Sequence, residues 1–320
     1  WGCMAGSASQ NNEQNEEPTL SPDLPFVARL DGRSFSSRFK KGALVTGSSS
    51  TNFRRPYDQR IHGAFCAAAA DCLDQFSPSA AVAYTQSDEI TIVFLPQSLS
   101  ATGTSCGDQS GEQESKNKQK NNYPFQGRVG KLVSLLAATV SVSFNRHLAN
   151  MCVAEAATSS ETVPLEQQLS SDAQLPFQNM ISEMMFTFDC RVFPVASEAE
   201  AVECCMWRCI DARRNSVSMI FHHHWQQNKK NETTRLEGHD DTFSGVGTET
   251  MLQVLAQEFG ISWLNDTPDG FRHGSWVVPA NRICRANSGG GILAGVFQMP
   301  DAMLPVSDTL VHTVLRSTLY

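Results

Sequence analysis

The sequence contains no run of about 18 apolar residues, so it offers no candidate membrane-crossing helix. Its ten cysteines follow no metal-ligand spacing. Cys204, Cys205 and Cys209 crowd into one stretch with helical pattern, which points to buried structural thiols and a reducing compartment. His222-His223-His224 is no better as a metal tract. Consecutive side chains on a helix point in different directions, and no Cys, Asp or Glu stands at ligand spacing to them. Gly289-Gly290-Gly291 lacks the Lys-Ser/Thr of a phosphate loop and reads as a flexible turn. There are no internal repeats. An overall positive charge is also missing: the net charge is −8, which excludes bulk nucleic-acid binding driven by total charge.

The charge is uneven, however. Between Leu24 and His62 there are eight Lys/Arg and only Asp31 and Asp58 to oppose them. A local basic surface is what phosphates require, and a solvated charged face gives the same pattern. The chain has 320 residues, 41% of them hydrophobic, enough for one large domain or two modest ones. Residues 1–22 are expected to be a disordered N-terminal segment, because Ser7 to Glu17 is rich in Gln, Asn and Glu. The sequence begins with Trp1 rather than Met, which leaves room for a targeting peptide upstream.

Phe26 to Leu30 alternates as a strand and places Val27, Arg29 and Asp31 on one face. A basic, Ser/Gly-rich connection leads to a helix between Asp58 and Phe76. Ala80 to Tyr84 and Ile90 to Phe94 are expected to form a hairpin with the polar tip Thr85 to Glu89. A second helix spans Arg128 to His147, with Arg128 and Lys131 on one face. Met184 to Val195 supplies a further strand or strand pair. Ser197-x-x-Glu200 has capping-box form and opens a third helix to about His222. That helix is expected to bury Val202, Met206, Ile210 and Val217 and to present Arg208, Asp211 and Asn215 opposite. A short helix at Thr250–Phe259 and a strand at Ser275–Val278 follow. Polar insertions are expected at 97–122, 154–179 and 226–247, with a tail from 280 to 320. The order β, α, β, β, α, β with a central hairpin predicts an α+β fold over residues 23–279. It would be an antiparallel, ferredoxin-like sheet of the polymerase-palm type, with helices packed on one face.

Asp31 at a strand end and Asp88 at a hairpin tip lie 57 residues apart in sequence. Adjacent strands of one sheet would bring them together. Two such carboxylates hold hard divalent cations that keep several waters and bridge to phosphates, and a pair of ions suits an in-line displacement. Gly32 would let the backbone approach a metal or phosphate closely. Glu89 is a reserve carboxylate that alternation should point away from Asp88. Arg29, Arg55, Arg128 and Lys131 are the candidate triphosphate cations. Taken singly, each of these residues also fits an ordinary turn or surface salt bridge.

Four segments resemble one family in a preserved order over roughly residues 24 to 279. They are Arg29-Leu30-Asp31-Gly32-Arg33-Ser34-Phe35, Phe53-Arg54-Arg55-Pro56-Tyr57-Asp58-Gln59-Arg60, Ala83-Tyr84-Thr85-Gln86-Ser87-Asp88-Glu89 and Phe188-Asp189-Cys190-Arg191-Val192. The family is that of the tRNA-His guanylyltransferases, nucleotidyltransferases that extend tRNA in the 3′-to-5′ direction. The resemblance implies two Mg²⁺ ions held by Asp31, the Gly32 carbonyl and Asp88. It implies nucleotide contacts at Arg29, along Asp31, Gly32, Arg33, Ser34, Phe35 and Ser36, and at Arg55, Ser87, Asp88, Arg128, Lys131, Asp211 and Asn215. ATP and GTP would be substrates, with ATP activating the tRNA 5′ phosphate. A homotetramer without a membrane partner is implied, inside the cell, in the cytoplasm or in mitochondria. In the third helix Asp211-Ala212-Arg213-Arg214-Asn215-Ser216 replaces the His-Ile-Asn-Asn-type motif of guanylyltransferases proper. It is closer to the guanylyltransferase-like branch, which resembles templated 5′-end repair polymerases. A tRNA-binding relative that has lost catalysis is the alternative, with a palm-fold nucleotide cyclase more distant.

Overall fold

A computed structural model of the chain describes residues 17–35, 53–96, 122–158, 185–231, 246–279 and 294–298. Its centre is a six-stranded antiparallel sheet in the order β4-β1-β3-β2-β5-β6. The strands are β1 (Phe26–Gly32), β2 (Ala80–Gln86), β3 (Glu89–Phe94), β4 (Phe188–Pro194), β5 (Ser275–Pro279) and β6 (Ala294–Gln298). The first four make the ferredoxin-like arrangement predicted from the element order. The sixth strand comes from the segment expected to be a tail, where Gly-rich sequence masks any alternation.

Three long helices cover the sheet: α1 (Gln59–Gln75), α2 (Val129–Thr158) and α3 (Glu198–Asn231). Asp58 starts α1 as its N-cap, its carboxylate accepting from the Arg60 N–H at 3.0 Å. Ala64, Phe65, Ala68, Cys72 and Leu73 recur at helical spacing and are fully buried. They pack with Leu132, Leu136, Val140 and Phe144 of α2 against Phe26, Ala28, Leu30 and Ile92 of the sheet. By length and composition α2 is also apolar enough to cross a membrane, which no uninterrupted apolar run reveals. Its Leu132–Leu136–Val140–Phe144–Leu148 stripe lies in the domain core instead. Both α2 and α3 run a few residues into the segments expected to be insertions. The remainder of those segments, and Gly289-Gly290-Gly291, lie outside the described residues.

The opposite sheet face is not bare, as a one-sided sheet would leave it. Val27, Val82, Tyr84, Val93 and Trp276 pack there against Ala201, Val202, Cys205 and Cys209 of α3. The predicted capping box holds: Ser197 Oγ accepts from the Glu200 N–H at 3.2 Å, and Glu200 accepts from the Ala196 N–H at 2.6 Å. The helix is rotated from the predicted orientation, however. Its buried side carries Cys205, Cys209, Ala212 and Ser216, while Ile210 is 47% exposed. Cysteines and alanines make this seam hard to see, because they read as weakly apolar beside Met206 and Ile210.

Beyond the sheet, the second half of α3 meets α4 (Thr248–Glu258), α5 (Trp263–Asp266) and α6 (Asp269–Arg272). Val217, Ile220, Phe221, Met251, Leu255 and Trp263 form their separate core. Among residues expected to be disordered, Pro18 to Leu20 are docked. Val129 N–H donates to the Pro18 carbonyl and Leu20 N–H to the Gly127 carbonyl, each at 2.9 Å. All seven cysteines in the described residues are free thiols, and only Cys204 is not buried.

Candidate active site

The β2–β3 hairpin is tighter than its polar composition suggests. Gln86 pairs with Glu89, so the turn is only Ser87-Asp88, with Ser87 at φ 51°. Glu89 therefore belongs to β3 and stands directly opposite Asp31 of β1. Asp189 of β4 stands opposite Asp31 on its other side. Residues opposite each other in an antiparallel pair share a face, so three carboxylates meet at this end of the sheet. The Gly32 N–H donates to the Asp88 carbonyl at 2.9 Å, which locks the turn beside Asp31. Glu89 thus joins the site that alternation from a longer turn places it away from. Asp189 is a neighbour of Asp31 absent from the sequence-based set, and regular alternation along Phe188-Asp189-Cys190-Arg191 is the signal that could find it.

The electrostatics distinguish these acids. Burial raises the Asp31 carboxyl above the ordinary aspartate value, and Glu89 and Asp189 add to the rise. Arg29 and Arg191 oppose it. The Asp31 carboxylate makes no hydrogen bond or ion pair among the described residues. Asp88 is likewise raised by burial and by Asp31 and Glu89, and it accepts a hydrogen bond from Ser87 Oγ at 3.1 Å. Glu89 is satisfied: it takes Arg29 at 2.6 Å on one oxygen and Arg208 of α3 on the other. Arg208 also meets Asp211 at 3.2 Å.

These positions fit a hard divalent cation. Two partly desolvated, under-compensated carboxylates are what such an ion relieves, and Mg²⁺ typically uses one or two carboxylates with water and phosphate oxygens. Among the described residues there is no group of three or more His, Cys, Asp or Glu set to enclose a metal. Asp31, Asp88 and the Gly32 carbonyl would be the holders.

The remaining predicted residues divide. Ser87, Arg33 and Ser34 are exposed at the carboxylate end, with the Arg33 N–H on the Thr187 carbonyl at 2.9 Å. Phe35 is not exposed to a ligand. It is 4% exposed and packed among Phe65, Phe144, Phe186 and Phe188. Gly32 owes its identity to that packing, since a Cβ there would have three carbons of the Phe35 ring within 3.0 Å. Arg55 lies just before α1, whose first turn meets the start of β5 through His62 and Ser275 at 3.0 Å. Asp211 joins the site through Arg208, and Asn215 is exposed one turn further on. Ser36 lies outside the described residues.

Arg128 and Lys131 do not converge on the carboxylates within one chain. Arg128 bridges Thr19 near the start of β1, while Ser141 Oγ accepts from the N–H of Phe188, the strand partner of Gly32, at 3.1 Å. The helix between Arg128 and Ser141 rises about 20 Å at 1.5 Å per residue. Arg213, at the position of the missing His, turns from the sheet toward α4 and α5. It pairs with Glu249 at 3.1 Å and lies over the Trp263 ring at 5.7 Å. The three histidines make no metal cluster: His223 meets Gln227 at 2.9 Å, and the His224 ring packs on Phe259. A groove of about 490 Å³ lies away from the carboxylates, between α1 and α2, lined by Asp71, Asp74, Gln75, Thr139 and Arg146 among others.

Residues 9–196 match the family described as Thg1, tRNAHis guanylyltransferase. The chain belongs to that family. Its members are nucleotidyltransferases. A curated relative, an uncharacterised protein of Acanthamoeba polyphaga mimivirus, is 25% identical over 309 residues, covering 96% of this chain and 87% of that protein. Among solved structures, the chain resembles a bacterial tRNA(His) guanylyltransferase (Thg1)-like protein in complex with ATP. The TM-score is 0.58 at 18% identity, with 94% of this chain and 93% of that one covered. The tRNA(His) guanylyltransferase of Saccharomyces cerevisiae aligns at TM-score 0.52 and 16% identity, over 91% of this chain and 96% of that one.

Proposed function

We propose that this member of the family is a Mg²⁺-dependent 3′-to-5′ nucleotidyltransferase that adds nucleotides to the 5′ end of tRNA. The observation that carries the reading is the meeting of Asp31 and Asp88 at one sheet end, both under-compensated, in a chain of a nucleotidyltransferase family. A divalent cation bound there supplies charge neutralisation for phosphoryl oxygens. The chain's own residues supply the rest. Asp31, Asp88 and the Gly32 carbonyl hold the ion. Exposed Arg33, Ser34 and Ser87 border the phosphates, and Arg29 and Arg208 keep Glu89 from adding a free charge.

ATP and GTP as substrates are supported by the bacterial Thg1-like structures solved with each nucleotide. In the activating step a 5′-phosphate oxygen of tRNA attacks the α-phosphorus of ATP and pyrophosphate leaves. The 3′ hydroxyl of an incoming nucleotide then attacks the 5′ phosphorus, loses its proton, and displaces AMP. The Asp211-Ala212-Arg213-Arg214-Asn215-Ser216 segment favours templated 5′-end repair over addition of a single G. Homo-oligomeric assembly belongs to the same reading.

The test is extension of a 5′-truncated tRNA by purified protein with Mg²⁺ and nucleotides. Asp31→Ala and Asp88→Ala are each expected to abolish it. Extension that persists in both variants overturns the metal assignment. tRNA binding without incorporation of any nucleotide supports the catalytically decayed relative instead.

A further inference from the structure

Two peptide groups flank Gly32, and both are fixed. The Gly32 N–H donates to the Asp88 carbonyl and the Arg33 N–H to the Thr187 carbonyl, each at 2.9 Å. The N–H and C=O of one trans peptide point in opposite directions. The Arg33 N–H is drawn toward Thr187, on the β4 side. The Gly32 carbonyl is therefore turned the other way, toward the hairpin and Asp88. Where that carbonyl aims depends on where Thr187 stands.

Thr187 leads into β4, an edge strand with β1 on one side only. On the outer side of this entry, α2 takes the place of a neighbouring strand. Asn145 Oδ1 accepts from the Phe186 N–H at 2.9 Å, and Asn145 Nδ2 donates to the Phe186 carbonyl at 2.7 Å. That is the two-way exchange an opposing strand residue makes. Ser141 Oγ, one turn earlier, accepts from the Phe188 N–H at 3.1 Å. Both side chains are steadied by their own helix. Asn145 Nδ2 also donates to the Ser141 carbonyl, and Ser141 Oγ donates to the Ala137 carbonyl at 2.7 Å. Asn and Ser are weak helix formers. Their presence one turn apart inside a long helix is accounted for by this clamp, which grips Thr187 through both of its chain neighbours.

We propose that Asn145 and Ser141 are positioning residues for the metal site. From α2, through Phe186 to Phe188 and the Arg33 N–H, they set the direction of the Gly32 carbonyl. The proposal rests on the reading above, in which Asp31, Asp88 and that carbonyl hold a divalent cation. It adds two residues that touch neither the ion nor a substrate.

The experiment is equilibrium binding of Mn²⁺, followed by its electron paramagnetic resonance signal. The proteins are full-length wild type, Asn145→Leu, Ser141→Ala, Asp31→Ala and Trp263→Phe. Asn145→Leu keeps the volume and removes both bonds to Phe186; Ser141→Ala is the milder change. Asn145→Leu is expected to weaken Mn²⁺ binding about tenfold, as removal of a group behind a metal ligand does. Ser141→Ala should weaken it by a smaller factor, and decides by itself should Asn145→Leu not fold. In tRNA extension the Mg²⁺ concentration giving half the maximal rate should rise by the same factors. The rate at saturating Mg²⁺ should stay close to that of wild type. Trp263→Phe loosens the separate core beyond the sheet, and should lower the melting temperature without changing Mn²⁺ affinity. Wild-type Mn²⁺ affinity in Asn145→Leu and Ser141→Ala overturns the proposal, as does an equal loss in Trp263→Phe. The metal assignment survives that outcome if Asp31→Ala still abolishes binding. Mn²⁺ bound by Asp31→Ala as tightly as by wild type overturns both.

Discussion

Gly32→Ala offers a direct way to separate packing from ligand binding at the strand end. A β-carbon at residue 32 would place three carbons of the Phe35 ring within 3.0 Å, closer than real contacts allow. The ring has nowhere to go. Its centroid lies 5.6 Å from Phe65, 5.5 Å from Phe144, 4.6 Å from Phe186 and 5.4 Å from Phe188. Forcing one methyl into a packed core costs about 1–3 kcal/mol. A domain of this size loses roughly 2–4 °C of melting temperature per kcal/mol, so a fall of roughly 2–12 °C is expected. Phe35→Leu opens the space and costs stability by itself. The double variant should therefore be more stable than the sum of the two single losses, with a coupling of about 1 kcal/mol or more. Thermal unfolding of the four proteins, without nucleotide or metal, makes the measurement. If the Gly32→Ala variant melts with wild type but fails to bind nucleotide, the packing argument is refuted and Gly32 returns to the ligand.

Other consequences are equally open to measurement. The Asp31 carboxyl is raised in the fold, so its ionisation opposes folding as pH climbs above the unfolded value of 3.8. Asp31→Asn should thus raise the melting temperature at neutral pH, an advantage that fades on acidification; Mg²⁺ should stabilise wild type and not the variant. His62 is buried and lowered to about 4, so the native state resists a proton that the unfolded state takes near 6.5. Stability should fall by about 3 kcal/mol between pH 6.5 and 4, a slope that His62→Gln removes in urea titrations. Burial pulls the Asp58 carboxyl upward, but hydrogen bonds from Arg60 and the Arg54 N–H outweigh it and leave the group lowered. Its stabilisation is therefore present above pH 3.8 and lost as pH falls through its folded value. Asp58→Ala, which removes a cap and one of the two carboxylates that hold Arg60, should cost about 1–3 kcal/mol in chemical denaturation at pH 7. Trp263 Nε1 donates to Ser216 Oγ at 2.7 Å in a buried setting, and Trp263→Phe should cost at least about 1 kcal/mol by the same assay.

The sheet is legible in the sequence because its strands alternate and its helices carry regular apolar stripes. Asp31 and Asp88 are legible because a strand end and a hairpin turn leave few other ways to place them. Glu89 is misplaced by a turn of five residues where the structure has two, and one such slip reverses a side chain's face. Arg208 reads as part of a polar stripe, since nothing local in α3 reveals which carboxylate it reaches. Arg128 and Lys131 join the site on motif position, and only the direction of α2 shows that they begin at the far end of the sheet. The role of Phe35 is hidden for a similar reason: four phenylalanines from α1, α2, β4 and the approach to β4 close around it.

Glu89 is gripped from two sides, and that redundancy sets what Arg29 can do. A buried carboxylate stripped of its only partner is left as a stranded charge, at a cost of several kcal/mol. Glu89 keeps Arg208 when Arg29 departs. Arg29 can swing to an arriving phosphate while its former partner stays neutralised, so the helix behind the hairpin holds a second cation in reserve for the site.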